Sequence, residues 1–315
     1  MKNPFLRLDQ RQLVVNWHVT EACNYRCQYC YAQWEGTPSQ TDLIRDAGCT
    51  QRLLRELFEF FHPGNGSNPL RREMRWNRVR LNFAGGEPLL NQERLLETIS
   101  LAKSIGFDVS LITNGSRLDS CTLVSLASEL SMIGISIDSG KEGTNRGIGR
   151  LDRQGRVLGL DSLSQGLRAA RIANSRLRLK INTVVNALNY QEDMNSVIQG
   201  LDPDKWKVLK MLPIVNNNLE ITNSQFEDFV TRHRELANIM SSENNDSLTE
   251  SYIMIDPKGR FFQNSSRGRH FGYQYSRPIM QVGVRDAFSD LTFNARKYLS
   301  RYGTPSPIAK EMCAV

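Results

Sequence analysis

Apolar positions along the chain switch between two spacings, and the switch recurs. Residues 13–19 (LVVNWHV) are a short β-branched and aromatic run. Residues 41–61 follow with Leu43, Ile44, Leu53, Leu54, Leu57, Phe58 and Phe61 at helical spacing, ending before Pro63-Gly64-Asn65-Gly66. The same alternation predicts further strands over 79–83, 109–113, 133–138, 177–185 and 206–212. Helices are predicted between them over 91–106, capped by Asn91, and over 118–130, 162–174 and 190–201. Six β-α steps imply a parallel sheet with right-handed crossovers, an incomplete (β/α)6 barrel within an α/β fold. In such a fold the chemistry belongs at the C-terminal ends of the strands.

Beyond residue 212 the pattern loosens. Residues 226–240 read as an amphipathic helix, and the polar tract 241–246 reads as an exposed loop. Residues 252–262 form a hairpin around Asp256-Pro257-Lys258-Gly259, and a helix near 286–302 packs a basic tail. The expected division is an N-terminal segment 1–12, a barrel 13–215 and an extension 216–315 that covers the barrel mouth. Neither a membrane-length apolar run nor a signal-peptide h-region is present, so a cytoplasmic protein without membrane attachment is expected, and a monomer. The formal charge of +7 and pI of about 9.2 suggest an anionic partner. A nucleic-acid module would interleave aromatic and basic residues. Only Arg267, Arg269 and His270-Phe271-Gly272-Tyr273 approach that, too short a run for a stable nucleic-acid complex.

The chemistry concentrates after the first strand, where Cys23, Cys27 and Cys30 stand within eight residues. Cys49, Cys121 and Cys313 are isolated. Three thiolates on one loop hold either zinc with a fourth ligand from elsewhere or an iron–sulfur cluster. None of His18, His62, His233 or His270 supplies a paired zinc half-site. The order C-x-x-x-C-x-x-C with an aromatic before the last Cys resembles the cluster loop of the radical S-adenosylmethionine (SAM) enzymes. That resemblance implies a 4Fe-4S cluster on Cys23, Cys27 and Cys30, its fourth iron open to SAM. Ala84-Gly85-Gly86-Glu87-Pro88 follows the second strand. There Gly85 and Gly86 permit close backbone approach, and the run resembles the family's motif for the SAM amino group. Thr113 and Asn114, ending the third strand, and Ser136 on the fourth resemble its contacts to the SAM ribose and carboxylate. Polar residues at strand ends also serve as helix caps.

Four strand-borne or strand-end cations, Arg80, Arg150, Lys180 and Lys207, either point outward with their stems along the helices or converge on one mouth. Converging, they suit a polyanion such as a triphosphate. Nearly the whole chain is similar to the viperin family. The similarity lies in Asn16 before the Cys loop, Ile148-Gly149-Arg150, the run 180–186 (KINTVVN), Glu192-Asp193-Met194, the run 201–208, Ser251 to Asp256, and Val282-Gly283-Val284. Without the amphipathic anchor and the C-terminal Trp of vertebrate viperins, it resembles the prokaryotic branch. The resemblance implies dehydration of a nucleoside triphosphate (CTP, UTP or GTP) to its 3′-deoxy-3′,4′-didehydro form, a chain terminator in antiviral defence. It also implies SAM as cofactor and an electron donor such as flavodoxin or ferredoxin. Triphosphate contacts map to Arg80, Arg150, Lys180 and Lys207, with Asn16 and Asn182 as further substrate contacts. Arg150 also falls among the cofactor positions. Two departures from vertebrate members are Ala84 in place of Ser and Arg80 in place of Lys. Tyr252 is the candidate hydrogen donor, because a phenol supplies an electron and a proton together. A radical SAM enzyme acting on a peptide or RNA is the alternative reading.

Overall fold

The computed structural model describes residues 12–30, 39–214, 217–264 and 272–300. The six expected strands are present: β1 (Gln12–His18), β2 (Arg78–Ala84), β3 (Asp108–Thr113), β4 (Met132–Ser136), β5 (Arg178–Val185) and β6 (Lys205–Lys210). They lie side by side in sequence order and parallel. Crossovers are made by α1 (Ala47–Phe61), α2 (Gln92–Ile105), α3 (Ser120–Glu129), α4 (Glu142–Ile148), α5 (Leu160–Ala173) and α6 (Asn195–Leu201). Their starts follow local chemistry. Asp46, Asn91 and Asp119 each accept a backbone N–H of the first turn of α1, α2 and α3. The short α4 was not expected, because it buries only Ile148 and carries no apolar stripe.

The period of two divides each strand cleanly. On β1 the side chains of Leu13, Val15 and Trp17 lie under the helices at 0% exposure, while Val14, Asn16 and His18 face a cavity. The same split puts Val79, Leu81 and Phe83 in the core and Arg80, Asn82 and Ala84 on the cavity; on β6, Trp206 and Val208 oppose Lys205, Lys207 and Leu209. A closed barrel of this type fills its interior with apolar layers. This inner face is instead substantially polar, so it encloses a site.

The sheet has ten strands and does not close, in the order β10-β9-β8-β1-β2-β3-β4-β5-β6-β7. β7 (Met240–Glu243) continues the parallel series beyond β6, and it lies where an exposed polar loop was expected. The expectation failed because Met240-Ser241-Ser242-Glu243 has no apolar alternation; pairing with β6 at one sheet edge makes it a strand. The helix expected over 226–240 ends at Arg232 as α7 (Asn223–Arg232), and the chain turns around buried His233. Past the short α8 (Asn245–Leu248), β8 (Ile253–Ile255) returns to pair in parallel with β1, and β9 (Arg260–Asn264) and β10 (Tyr273–Pro278) follow antiparallel. The expected hairpin is therefore present, tightened by Asp256, whose side chain accepts from the N–H groups of Lys258 and Arg260. One sheet thus runs through the expected boundary at residue 215. The tail helix is two segments, α9 (Ile279–Ser289), interrupted at Gly283, and α10 (Ala295–Ser300), rather than one over 286–302. Cys313, Arg267, Arg269, His270 and Phe271 lie outside the described residues. No helix among the described residues is long and apolar enough to cross a membrane.

Candidate active site

One cavity of about 330 Å3 fills the inside of the sheet. At one end lie Cys23, Cys27 and Cys30, on the loop that leaves the C-terminal end of β1. Backbone contacts set that loop. Arg26 and Gln28 donate their N–H groups to Gly149 (3.2 Å) and Ile148 (2.9 Å) at the end of α4. The turn after β2 braces the lead-in: Gly86 N–H donates to Thr20 O and Glu87 N–H to Ala22 O, both at 2.8 Å. A Cβ on Gly86 would stand 1.9 Å from Ala22 O, so only glycine fits.

Donors are aimed at the sulfurs. Tyr25 N–H lies 3.4 Å and Asn114 Nδ2 3.8 Å from Cys23 Sγ, and Arg150 Nη1 lies 4.0 Å from Cys27 Sγ. Such donors suit thiolates bound to iron. Burial pushes the bare Cys27 thiol up to about 11 and raises that of Cys23, so binding iron here releases protons. No three His, Cys, Asp or Glu among the described residues converge tightly enough for a single metal ion. The three cysteines instead share one cavity end. Those three thiolates are the residues that would hold a cluster.

Glu87 is the buried carboxylate of the turn after β2. It is fully buried behind the wall, accepting from Thr113 Oγ1 (2.7 Å), Asn114 N–H (2.7 Å) and Leu89 N–H (3.0 Å). It does not line the cavity. Burial raises its carboxyl above the ordinary value, and these bonds offset only part of that rise. Thr113 spends its hydroxyl on Glu87, and Asn114 spends its amide on Asn24 and Cys23. Gly85, Gly86, Thr113, Asn114, Ser136 and Arg150 all line the cavity.

The cations all turn inward, but not to one place. Arg150, buried, sits beside the cysteine loop and pairs with Asp138 at 3.4 Å. Arg80, Lys180 and Lys207 stand in the first halves of β2, β5 and β6, away from the C-terminal strand ends. Burial, with Lys207, Lys205 and Arg80 nearby, holds the Lys180 ammonium well below the usual lysine range. A polar chain crosses the floor: Ser110 Oγ donates to Asn82 Oδ1 (2.8 Å), Asn82 Nδ2 to Asn16 Oδ1 (3.0 Å) and Asn16 Nδ2 to Ile253 O (3.1 Å). Asn182 also lines the cavity, and its buried Oδ1 has no hydrogen-bond partner.

Tyr252 lies just ahead of β8, and its hydroxyl donates to Glu243 Oε2 at 2.6 Å. Lys207 Nζ pairs with Glu243 Oε1 at 2.7 Å and also contacts the Tyr252 hydroxyl. The sequence pattern does not single out Glu243, because its tract, on β7, has no apolar alternation. Asn82 and Lys205 are not among the expected site residues either, though the alternation that turns Arg80 and Lys207 inward turns them inward too. His18 lines the cavity as well, packed on Phe262 at 5.0 Å, and burial lowers its imidazole to about 4, which keeps it neutral.

Comparison with known proteins agrees with this arrangement. Residues 17–185 match the Radical SAM superfamily. The chain is 40% identical over 292 residues to an S-adenosylmethionine-dependent nucleotide dehydratase of Pseudoalteromonas ulvae, covering 93% of each chain. It is 40% identical over 302 residues to one of Psychrobacter lutiphocae (94% of this chain, 96% of that one). A Danio rerio protein of the same name is 30% identical over 304 residues, 92% of this chain and 76% of that one. Among solved structures, native anSMEcpe with bound AdoMet and a Kp18Cys peptide superposes with a TM-score of 0.60 at 15% identity, over 95% of this chain and 86% of that one, a likeness of fold. By its matched superfamily and by identity along nearly its whole length, the chain belongs to the radical SAM superfamily and, within it, to the S-adenosylmethionine-dependent nucleotide dehydratases.

Proposed function

We propose that the protein removes water from the ribose of a nucleoside triphosphate (CTP, UTP or GTP), giving the 3′-deoxy-3′,4′-didehydro nucleotide, a terminator of RNA synthesis suited to antiviral defence. The observation that carries the triphosphate is the charge of the cavity wall. Arg80, Arg150, Lys180, Lys205, Lys207 and Lys210 line it against the single carboxylate of Glu243 among the described residues. Such an excess of basic residues, with Arg80, Arg150, Lys207 and Lys210 buried, favours a polyanion.

Cys23, Cys27 and Cys30 would hold the cluster, and Gly85, Gly86 and Arg150 lie where SAM would meet it. One-electron reduction of SAM, the chemistry the cluster supplies when bound, yields the equivalent that abstracts the ribose 4′ hydrogen. Loss of the 3′ hydroxyl as water then needs one proton and one electron. In this reading Lys207, beside Tyr252, gives the proton. Tyr252 gives the electron, its phenolic proton passing to Glu243, to which it is already hydrogen-bonded. A flavodoxin- or ferredoxin-type donor restores the phenol. The cavity wall excludes competing water.

The test is anaerobic incubation of the iron-loaded protein with SAM, dithionite and each of the four ribonucleoside triphosphates. The expected result is one didehydro nucleotide per 5′-deoxyadenosine for at least one base. Release of 5′-deoxyadenosine with peptide or RNA but with no triphosphate would overturn the reading.

A further inference from the structure

The cysteine loop carries two tyrosines whose hydroxyls have opposite fates. Tyr25 is buried, and its hydroxyl has no hydrogen-bond partner. The Tyr29 hydroxyl, one residue before Cys30, donates to Asp138 Oδ2 and accepts from Arg150 Nη1 at 3.1 Å. Arg150 Nη1 also lies 3.4 Å from Asp138 Oδ2, so the three side chains form a closed triangle in which each touches the other two. Asp138 is anchored from outside it: at 0% exposure, its Oδ1 accepts Val184 N–H at 2.9 Å, and its carbonyl accepts Asn189 Nδ2 at 2.8 Å. The other guanidinium nitrogen of Arg150 donates to Ser136 O. The nitrogen that Tyr29 and Asp138 hold, Nη1, is also the one that approaches Cys27 Sγ, at 4.0 Å.

We infer that Tyr29 and Asp138 are positioning residues that lock the Arg150 guanidinium between Cys27 and the cavity, tying its orientation to the position of the cysteine loop. The inference rests on the reading that this loop holds the cluster and that Arg150 faces SAM. A guanidinium has a rigid fork, and its direction is set once two of its nitrogens are bound. Here one nitrogen is bound by Ser136 O and the other by Tyr29 and Asp138. N–H donors directed at a cluster sulfur shift the cluster's reduction potential, and a guanidinium held in place loses little freedom when a carboxylate arrives. Without the Tyr29 hydroxyl the loop keeps its aromatic ring but loses that ring's hydrogen bond to Arg150.

The experiment compares Tyr29→Phe, Asp138→Asn and, as a matched control, Tyr25→Phe, each reconstituted anaerobically. Iron content, the electron paramagnetic resonance spectrum and midpoint potential of the reduced SAM-free cluster, and the SAM dissociation constant are measured. All three should keep their iron. Tyr25→Phe should match the parent, whereas Tyr29→Phe and Asp138→Asn should alter the spectrum and midpoint and weaken SAM by about tenfold, the loss of one charge-assisted bond. Tyr29→Phe that overlays Tyr25→Phe in spectrum, midpoint and SAM affinity overturns the inference. If Tyr29→Phe loses iron, Asp138→Asn, outside the loop, decides: unchanged midpoint and SAM affinity overturn the inference, and a shift in both supports it. Arg150→Lys separates the underlying reading. Unchanged SAM affinity there withdraws the role of Arg150 toward SAM, while the spectral shift in Tyr29→Phe still reports on the lock.

Discussion

Lys180 shows how much a single lysine on the cavity wall reveals. Its folded pKa lies below the ordinary lysine value of 10.5, because it is desolvated and shares its wall with Lys207, Lys205 and Arg80. Between the folded and unfolded values the unfolded chain holds more protons, so the ligand-free stability contributed by this group rises with pH across that window. Lys180→Met should remove that rise in denaturant titrations run at several pH values. A bound polyanion reverses the penalty, so triphosphate binding to the parent should take up a proton. Calorimetry in two buffers of different ionisation heat reads this directly, and equal heats in both would show that Lys180 does not face the triphosphate. Tyr252 and Glu243 invite a different measurement. Tyr252→Phe removes the hydroxyl and little volume. Binding of SAM and triphosphate and release of 5′-deoxyadenosine should persist, while didehydro nucleotide per deoxyadenosine falls sharply. Glu243→Gln should lower the same ratio by removing the proton acceptor, and an unchanged ratio in both variants would assign the electron to another donor.

The elements that carry the cysteines depend on glycine at two joints. Gly149, at the end of α4, has φ +88°, and a Cβ there would lie 2.2 Å from Arg26 O. Because the clash is with backbone, it cannot be relieved by turning a side chain. Gly149→Ala should therefore displace the cysteine loop while leaving the sheet intact: iron loading falls severalfold, and far-ultraviolet circular dichroism stays unchanged. Full iron loading in this variant would show that the loop does not need its contact with α4. Strands β1 to β6 were legible because each alternates apolar residues with others, and their helices because the apolar period lengthens between them. Position 80 shares parity with 82 and 84, and position 207 with 205 and 209, so the choice between outward and inward cations was already written in the strands. β7 and α4 were not legible, since a polar edge strand and a helix burying one residue owe their shape to neighbours distant in sequence.

Across the whole molecule, the feature no local pattern announced is the seam where the sheet fails to close. Strands β6 and β7 end the strand order on one side and β8 lies inside β9 and β10 on the other, yet Lys207, Glu243 and Tyr252, just ahead of β8, join them by side chains. The cysteine loop could be read as a motif because its ligands are neighbours in sequence. The seam could not, because its carboxylate lies in a tract without periodicity and its partners follow only from the fold. Glu243 is the one carboxylate among six basic residues on the described cavity wall, so its loss removes the carboxylate that pairs with buried Lys207. Breaking a buried ion pair by removing one partner typically costs about 3–5 kcal/mol. Glu243→Ala should lower ligand-free stability by roughly that amount. It should also open the molecule locally, so that hydrogen exchange quickens at 240–243 and 250–255 while β2, β3 and β4 keep their protection. A polyanion can replace the missing charge. Inorganic tripolyphosphate should therefore restore slow exchange at both sides of the seam in Glu243→Ala, and should stabilise this variant more than the parent. If exchange at 250–255 stays as slow in Glu243→Ala as in the parent, backbone pairing to β1 alone holds β8, and the side-chain bridge contributes nothing to closing the sheet.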